Sequence, residues 1–411
     1  MTMTPGTIAA LRSTAGQDNG MLTARVHAPV LRLDRHEPWR PTAIGFSIFD
    51  EPSRSPSSKF EIVPKSHRVI EYAIFWDYDI QHLYDLEHVW IHVDANDRVE
   101  HVEASQHGRR IEMVREGGLP LENGRVTLWA EPGKHALFPG RDQMMSRESA
   151  TRHECNLGAG HTGVHLGNPF SGRFGEIGAY EHRLARLQMR RFAFQPAFGE
   201  TQRWDCREGD LLPWPSVERW IPERVNYLID DLKQNLPHLK AIFLDCGDTL
   251  VDEGTEEKEP GTDVAVRAEL LPYAREMMDN LRKDGYRLAL VADGPRATFE
   301  NLLGQHRLWD HFESHTISGD VGVLKPDARM FATAMNSLCL ESADSGRIVM
   351  VGNNLERDIK GANSAGHISV FFKWSDRRPV IPIDESEEPD VTIYSLKDLV
   401  PAIEKIELSL V

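Results

Sequence analysis

The spacing of apolar residues changes character once along the chain, near residue 236. From 21 to about 140, short runs such as LTARVHAPVLRL, KSHRVIEYAIFW, EHVWIHVD, RVEHVEAS and GRVTLWA alternate apolar and polar positions, with Asp, Asn, Gly and Pro between them. That period of two predicts antiparallel β-structure, so residues 21–150 read as a β-rich, sandwich-like domain. Residues 1–20 read as a flexible terminus. Residues 151–235 read as a loop and helical connection. The glycines of GAGHTGVHLGNPFSGRFG (158–175) predict loop, while Ile177, Tyr180, Leu184 and Leu187 predict a helix over 176–192. SVERWIPERVNYLIDDLKQNLP predicts a second helix, interrupted near Pro222.

After residue 236 strands and helices alternate. LKAIFLD (239–245) is almost wholly apolar, as befits a strand of a parallel sheet covered on both faces. Strands are also expected at 286–293, 315–319, 347–352, 367–372 and 390–394, with helices over 270–285, 296–306, 328–338 and 355–366 and from Leu396 onward. This order predicts a doubly wound α/β domain over 236–411, whose ligand site lies past the C-terminal ends of its strands.

Charge and cysteine content narrow the partners. A formal net charge of -16 disfavours general binding to nucleic acid or to anionic membranes. Four dispersed cysteines form neither a disulfide framework nor a metal-binding pair. The first residues lack the pattern of a signal peptide, and no run is long enough to span a bilayer, so a cytoplasmic location is expected.

Four polar groups fall at predicted strand ends: Asp245 in FLDCGDTLVDE, Asp293 in LVADG, Lys325 in SGDVGVLKPD and Asp358 in VGNNLERDIKGA. Such charges are costly to assemble unless they bind something, most simply a metal ion with an anionic group. In order and spacing these segments resemble the four motifs of the haloacid dehalogenase (HAD)-like hydrolases over essentially 239–400. The resemblance implies that Asp245 is the nucleophile taking a phosphoryl group and that Lys325 neutralises it. It also implies that Asp358 and Asn353, with Asp245, hold Mg2+, and that Thr249 and Asp293 contact the bound group. A phosphorylated or other anionic substrate follows from it.

The same segments depart from the family's phosphatases. Gly247 stands where a second Asp would serve as acid and base, with Asp248 displaced by one position. Ala292 stands where a hydroxyl is usual, and Asn353 where a carboxylate is usual. The departures leave three readings of this domain open: a phosphatase, a dehalogenase-like enzyme, or a degenerate binding or scaffold protein. Between Asp245 and Asp293 the spare residues, DEGTEEKEPGTDVAV, are polar and predict a loop in place of a folded cap.

A second cluster lies in DYDIQHLYDLEHVWIHVD, EASQHGRR and GKHALFP, which supply His82, Asp85, Glu87, His107 and His135. This arrangement resembles the β-sandwich of Vps62-related and necrosis-inducing (NPP1-like) proteins. The resemblance implies a second divalent cation, of unspecified identity, held by His82, Asp85 and Glu87, with His107 and His135 next. His88 and His92 are expected on the opposite face of that strand. The β-rich region would then recognise substrate or a protein partner, or carry metal chemistry of its own.

Overall fold

The computed structural model describes residues 20–167 and 169–411, so the expected flexible terminus falls outside the described residues except for Gly20. The chain divides into two compact units, Met1–Leu236 and Pro237–Val411. No described helix is long and apolar enough to cross a membrane.

In the first unit one sheet has the order Leu137–Phe138, Arg125–Ala130, Val30–Asp34, Thr201–Asp205, and a second has the order Leu211–Pro213, Ala43–Phe49, Arg68–Tyr78, His82–Val93, Val99–Gln106, Arg109–Glu112. Their pairings are mainly antiparallel, but Val30–Asp34 runs parallel to Arg125–Ala130, and Leu211–Pro213 parallel to Ala43–Phe49. A single core takes Leu31, Leu33 and Leu128 from the first sheet and Ile44, Tyr72, Ile74 and Ile91 from the second.

Residues 151–235 are not merely a connection. Gly163–Val164 pairs with His82–Leu83, Thr201–Asp205 with Val30–Asp34, and Leu211–Pro213 with Ala43–Phe49. These strands are short, which is why period-two patterning missed them. The helix Trp214–Asn235 continues through Pro222, burying Val217, Trp220, Ile221, Val225, Leu228, Ile229 and Leu232. Proline leaves the carbonyl four residues back without its helical donor. Here Arg173 Nη2 donates to that carbonyl, of Glu218, at 3.3 Å.

The second unit holds six parallel strands in the order Ser314–Ile317, Leu288–Ala292, Ala241–Leu244, Ile348–Gly352, Ile368–Phe372, Val391–Ile393. Both faces are covered. Ile242, Leu244, Leu288, Leu290, Val349 and Val351 enter one core, and Ala241, Phe243, Ala289, Val291, Ile348 and Met350 the other. In the flanking helix Ala274–Lys283 the buried residues Ala274, Met277, Met278 and Leu281 recur at helical spacing. The strand order reverses between Ala241–Leu244 and Ile348–Gly352, the position at which such sheets open a crevice for ligands.

The polar stretch after Asp245 is more ordered than the loop its composition predicts. Glu257–Lys258 pairs with Ala265–Arg267, and Thr298 Oγ1 and Asn301 Nδ2 of the helix Arg296–Gln305 hydrogen-bond the backbone N–H and C=O of Ala265. Its anchors are long-range hydrogen bonds, which leave no trace in hydrophobic periodicity.

Candidate active site

Asp245, Asp293, Lys325, Asn353 and Asp358 line one polar cavity of about 240 Å³ at the C-terminal ends of the second unit's strands. Asp245 follows Leu244 on one side of the strand-order switch, and Asn353 follows Gly352 on the other.

Lys325 is buried in the middle. Its ammonium donates to Asp245 Oδ1 at 2.8 Å and to the Val291 carbonyl at 2.7 Å, and lies 2.6 Å from Asp358 Oδ1. Burial alone would lower its pKa, but Asp245, Asp358 and Asp293 raise it above the ordinary lysine value. Asp358 is pushed up to about 7, first by burial and then by the charge of Asp245, against the pull of Lys325. A cation between two carboxylates offsets part of their repulsion and of their desolvation.

Gly352 makes this placement feasible: a Cβ built there would stand 2.2 Å from Asp358 Oδ2. Asp358 Oδ2 accepts the Asn354 N–H at 3.0 Å. Asp293 accepts the Lys325 backbone N–H at 3.0 Å and faces Arg357 at 3.3 Å.

The oxygens toward the cavity suit a hard divalent cation. Asn353 Oδ1 is buried with no hydrogen-bond donor, and Asp358 Oδ1 lacks a well-directed one despite its ion pair. The unpaired Asn353 oxygen, in the same cavity as the carboxylates of Asp245 and Asp358, is ligand chemistry that a hard divalent cation such as Mg2+ selects.

Thr249 does not join this wall. It is fully buried in the turn after Asp245, where its N–H donates to the Cys246 carbonyl and its hydroxyl faces no partner. Asp248 turns away too, into the guanidinium of Arg377. Cys246 is fully buried, and burial and the Asp245 charge push its thiol pKa well up, so it is not a reactive thiol.

Several cavity residues were not foreseen. Glu253, Glu256, Lys258 and Asp263 come from the segment read as a loop, and Arg357 and Arg378 add positive charge. Glu253 is paired through both oxygens with Arg378 Nη2, at 2.8 Å each. Only chain folding brings residue 378 to 253.

In the first unit, His82, Asp85, Glu87 and His107 line a separate cavity of about 820 Å³, with Asp79, Lys134 and His165. His88, expected on the opposite strand face, also reaches this cavity and contacts Ser57 at 3.0 Å.

The predicted cation ligands of this cluster do not converge. His135 is enclosed, stacked on Trp76, with its ring nitrogens 3.2 Å from Asp85 and 3.6 Å from Glu37. Burial would lower its pKa, but these carboxylates raise it to about 10. An imidazolium has no lone pair for a metal. His107 is taken by Glu131 at 2.8 Å. Burial and the neighbouring Asp85 push the Glu87 pKa up, which makes it a weaker anionic ligand. Lys134 Nζ lies 2.6 Å from Asp79 and supplies a cation already.

Among the described residues, the trio with ligand atoms within 4.8 Å of one another is His92, His101 and Glu103. It too is occupied from within. The Lys65 ammonium contacts His101 Nε2, Arg110 pairs with Glu103, and His92 Nδ1 accepts the Lys65 backbone N–H. That last bond fixes a proton on His92 Nε2, the nitrogen facing Glu103.

The second unit, with its parallel sheet and polar crevice, has the α/β fold of the haloacid dehalogenase-like hydrolases, and a family profile of that description matches residues 249–366. Two curated relatives are similar in part: a phosphoserine phosphatase of Thermus thermophilus, 36% identical over 32% of this chain and 51% of its own length, and a glyceraldehyde 3-phosphate phosphatase of Pyrococcus furiosus, 31% identical over 33% of this chain and 55% of its own. A solved HAD phosphatase structure from Thermococcus onnurineus aligns over 33% of this chain and 59% of its own, at 27% identity and a TM-score of 0.29. The chain spans about half the length of the curated relatives it matches.

Proposed function

We propose that the second unit is a phosphohydrolase that transfers a phosphoryl group from a small phosphorylated substrate to Asp245 and then to water. The observation that carries the reading is the contact of Lys325 with both Asp245 and Asp358 in one cavity open to solvent. Lys325 holds Asp245 in place and offsets negative charge as the carboxylate approaches an anionic phosphoryl group. In the first step Asp245 Oδ forms a bond to phosphorus and the substrate's ester oxygen leaves with its electron pair. In the second, water displaces the aspartyl carboxylate.

Asp245, Asp358 and Asn353 would hold Mg2+, which supplies charge neutralisation on the phosphoryl oxygens. Asp293, fixed by Lys325 and Arg357, orders the wall facing the transferred group. The partial relatives support a phosphomonoester substrate, since their names describe phosphatases of small phosphorylated metabolites.

The first unit is read here as a β-sandwich that recognises substrate or a protein partner. Its two sheets sharing one core support the sandwich, and its separate polar cavity supports recognition.

The test is hydrolysis of a phosphomonoester panel with Mg2+ by the wild type and by Asp245→Asn. Turnover by the wild type that is lost in the variant is the expected result. Equal turnover in both would remove Asp245 from the reaction.

A further inference from the structure

The reaction proposed above leaves an aspartyl-phosphate, an acyl phosphate whose hydrolysis needs a group to accept a proton from the attacking water. Three of the cavity carboxylates are engaged otherwise. Asp245 carries the phosphoryl group, and Asp358 is committed to Lys325 and the Asn354 N–H. Asp293 is committed to the Lys325 N–H and Arg357. Glu256 has its pKa raised by burial and by Glu253, which favours its neutral form.

Glu253 differs in placement both from these and from Asp263, which is exposed. Residue 247, two positions beyond Asp245, has no side chain, and the space beside it is filled by the side chain of Glu253 from the next turn of the chain. A Cβ built on Gly247 would stand 2.2 Å from Glu253 Oε1. The Glu253 carboxylate therefore occupies the volume of a side chain projecting from the loop that carries Asp245.

It is held there at two points. The Glu253 N–H donates to Asp248 Oδ1 at 3.1 Å, and a single Arg378 nitrogen serves both carboxylate oxygens at 2.8 Å. One donor shared by two oxygens leaves lone pairs on each. Asp248 is itself anchored by Arg377, so the neighbouring arginines of one loop fix both the turn and the carboxylate.

We infer that Glu253 is the catalytic base of the second half-reaction, accepting the proton of the water that attacks the phosphoryl group on Asp245. The water oxygen forms the new bond to phosphorus as the bond from phosphorus to Asp245 Oδ breaks. That bond's electron pair returns to the Asp245 carboxylate. The water's proton passes to Glu253 and then to solvent through the cavity mouth. The assignment rests on the phosphohydrolase reading.

p-Nitrophenyl phosphate with Mg2+ isolates this step, because nitrophenolate leaves without needing a proton. Glu253→Gln is expected to lower steady-state turnover by about 10²- to 10⁴-fold, the usual worth of a general base. It is also expected to release close to one equivalent of nitrophenolate per enzyme in a burst and to accumulate phosphoenzyme recoverable on rapid acid quench. A carboxylate that only braced the loop would slow both half-reactions and give no burst.

A second pair of variants guards against misfolding. Gly247→Asp alone collides with Glu253 and loses activity, whereas Gly247→Asp combined with Glu253→Ala recovers at least tenfold over Glu253→Ala. Gly247 lies outside the left-handed backbone region, so it accepts a side chain. If the wild type turns over and Glu253→Gln matches it within twofold, or slows without accumulating phosphoenzyme, the assignment of Glu253 is overturned while the phosphohydrolase reading stands. If the wild type hydrolyses no phosphomonoester of the panel and forms no phosphoenzyme, both are overturned.

Discussion

Lys325 donates to Asp245 across 2.8 Å, although 80 residues separate them. The contact joins the residue after the strand Ala241–Leu244 to the turn between the helices Ser318–Val321 and Ala328–Ser337, and its third neighbour, Asp358, comes from the helical turn Leu355–Ile359. Removing the cation strands carboxylates in a buried place. Lys325→Met should therefore destabilise the second unit by about 3 to 5 kcal/mol, the usual cost of breaking one side of a buried ion pair. Urea unfolding monitored on that unit measures this, and a loss below about 1 kcal/mol would mean that the carboxylates reprotonate or rehydrate cheaply.

Asp245→Asn keeps shape and hydrogen bonding but removes the nucleophilic charge. Phosphomonoester turnover should fall by at least about 10³-fold with the folded state intact, as expected when a reacting group is lost. Beryllium fluoride, which mimics an aspartyl-phosphate, should protect the wild type against thermal unfolding and leave the variant unshifted.

The approach of Asp358 to Gly352 predicts a packing defect. Gly352→Ala places a methyl 2.2 Å from Asp358 Oδ2 and 2.6 Å from its Cβ, so the carboxylate must move with its backbone. A loss of about 1 to 3 kcal/mol in stability is expected from such overpacking. Reduced affinity for Mg2+, measured by calorimetry, should accompany it.

His135 and Asp85 make a prediction for the first unit that needs no knowledge of function. The folded-state pKa of His135 is raised from 6.5 to about 10, so its stabilisation is complete below pH 6.5 and is lost as pH rises toward 10. Asp85 is lowered from 3.8 to about 2, with burial opposed chiefly by its hydrogen bond from His135, so its contribution disappears as pH falls through that interval. His135→Phe should cost about 3 kcal/mol at pH 6. The gap between wild type and variant should close between pH 7 and 10 in unfolding titrations, and a gap independent of pH would contradict the assigned ion pair.

Much of the second unit was legible in its pattern. Continuous apolar runs at 241–244, 288–292 and 348–352 encode strands covered on both faces, and each ends just before a polar residue of the cavity. A local rule is enough there, because the βα arrangement puts strand ends at the ligand crevice. The first unit was harder to read. Its strands at 163–164, 201–205 and 211–213 are held by pairing with distant partners and have little periodicity of their own. His82, His107 and His135 each lie near a carboxylate, of Asp79, Glu131 and Asp85 respectively. What composition omitted is that Asp85 and Glu37 close around His135 and raise its pKa, that His107 pairs with Glu131, and that Lys134 pairs with Asp79.

The sequence by itself determined the six-stranded parallel layer, because that follows from short-range periodicity, and it put Asp245 and Asp293 directly after two of its strands. Only the tertiary structure decided that Thr249 is buried, that His135 is an imidazolium between two acids, and that Glu253 fills the space beside Gly247. Each of these depends on which group lies within a few ångströms once the chain is folded, and burial makes such neighbours decisive for charge and hydrogen bonding.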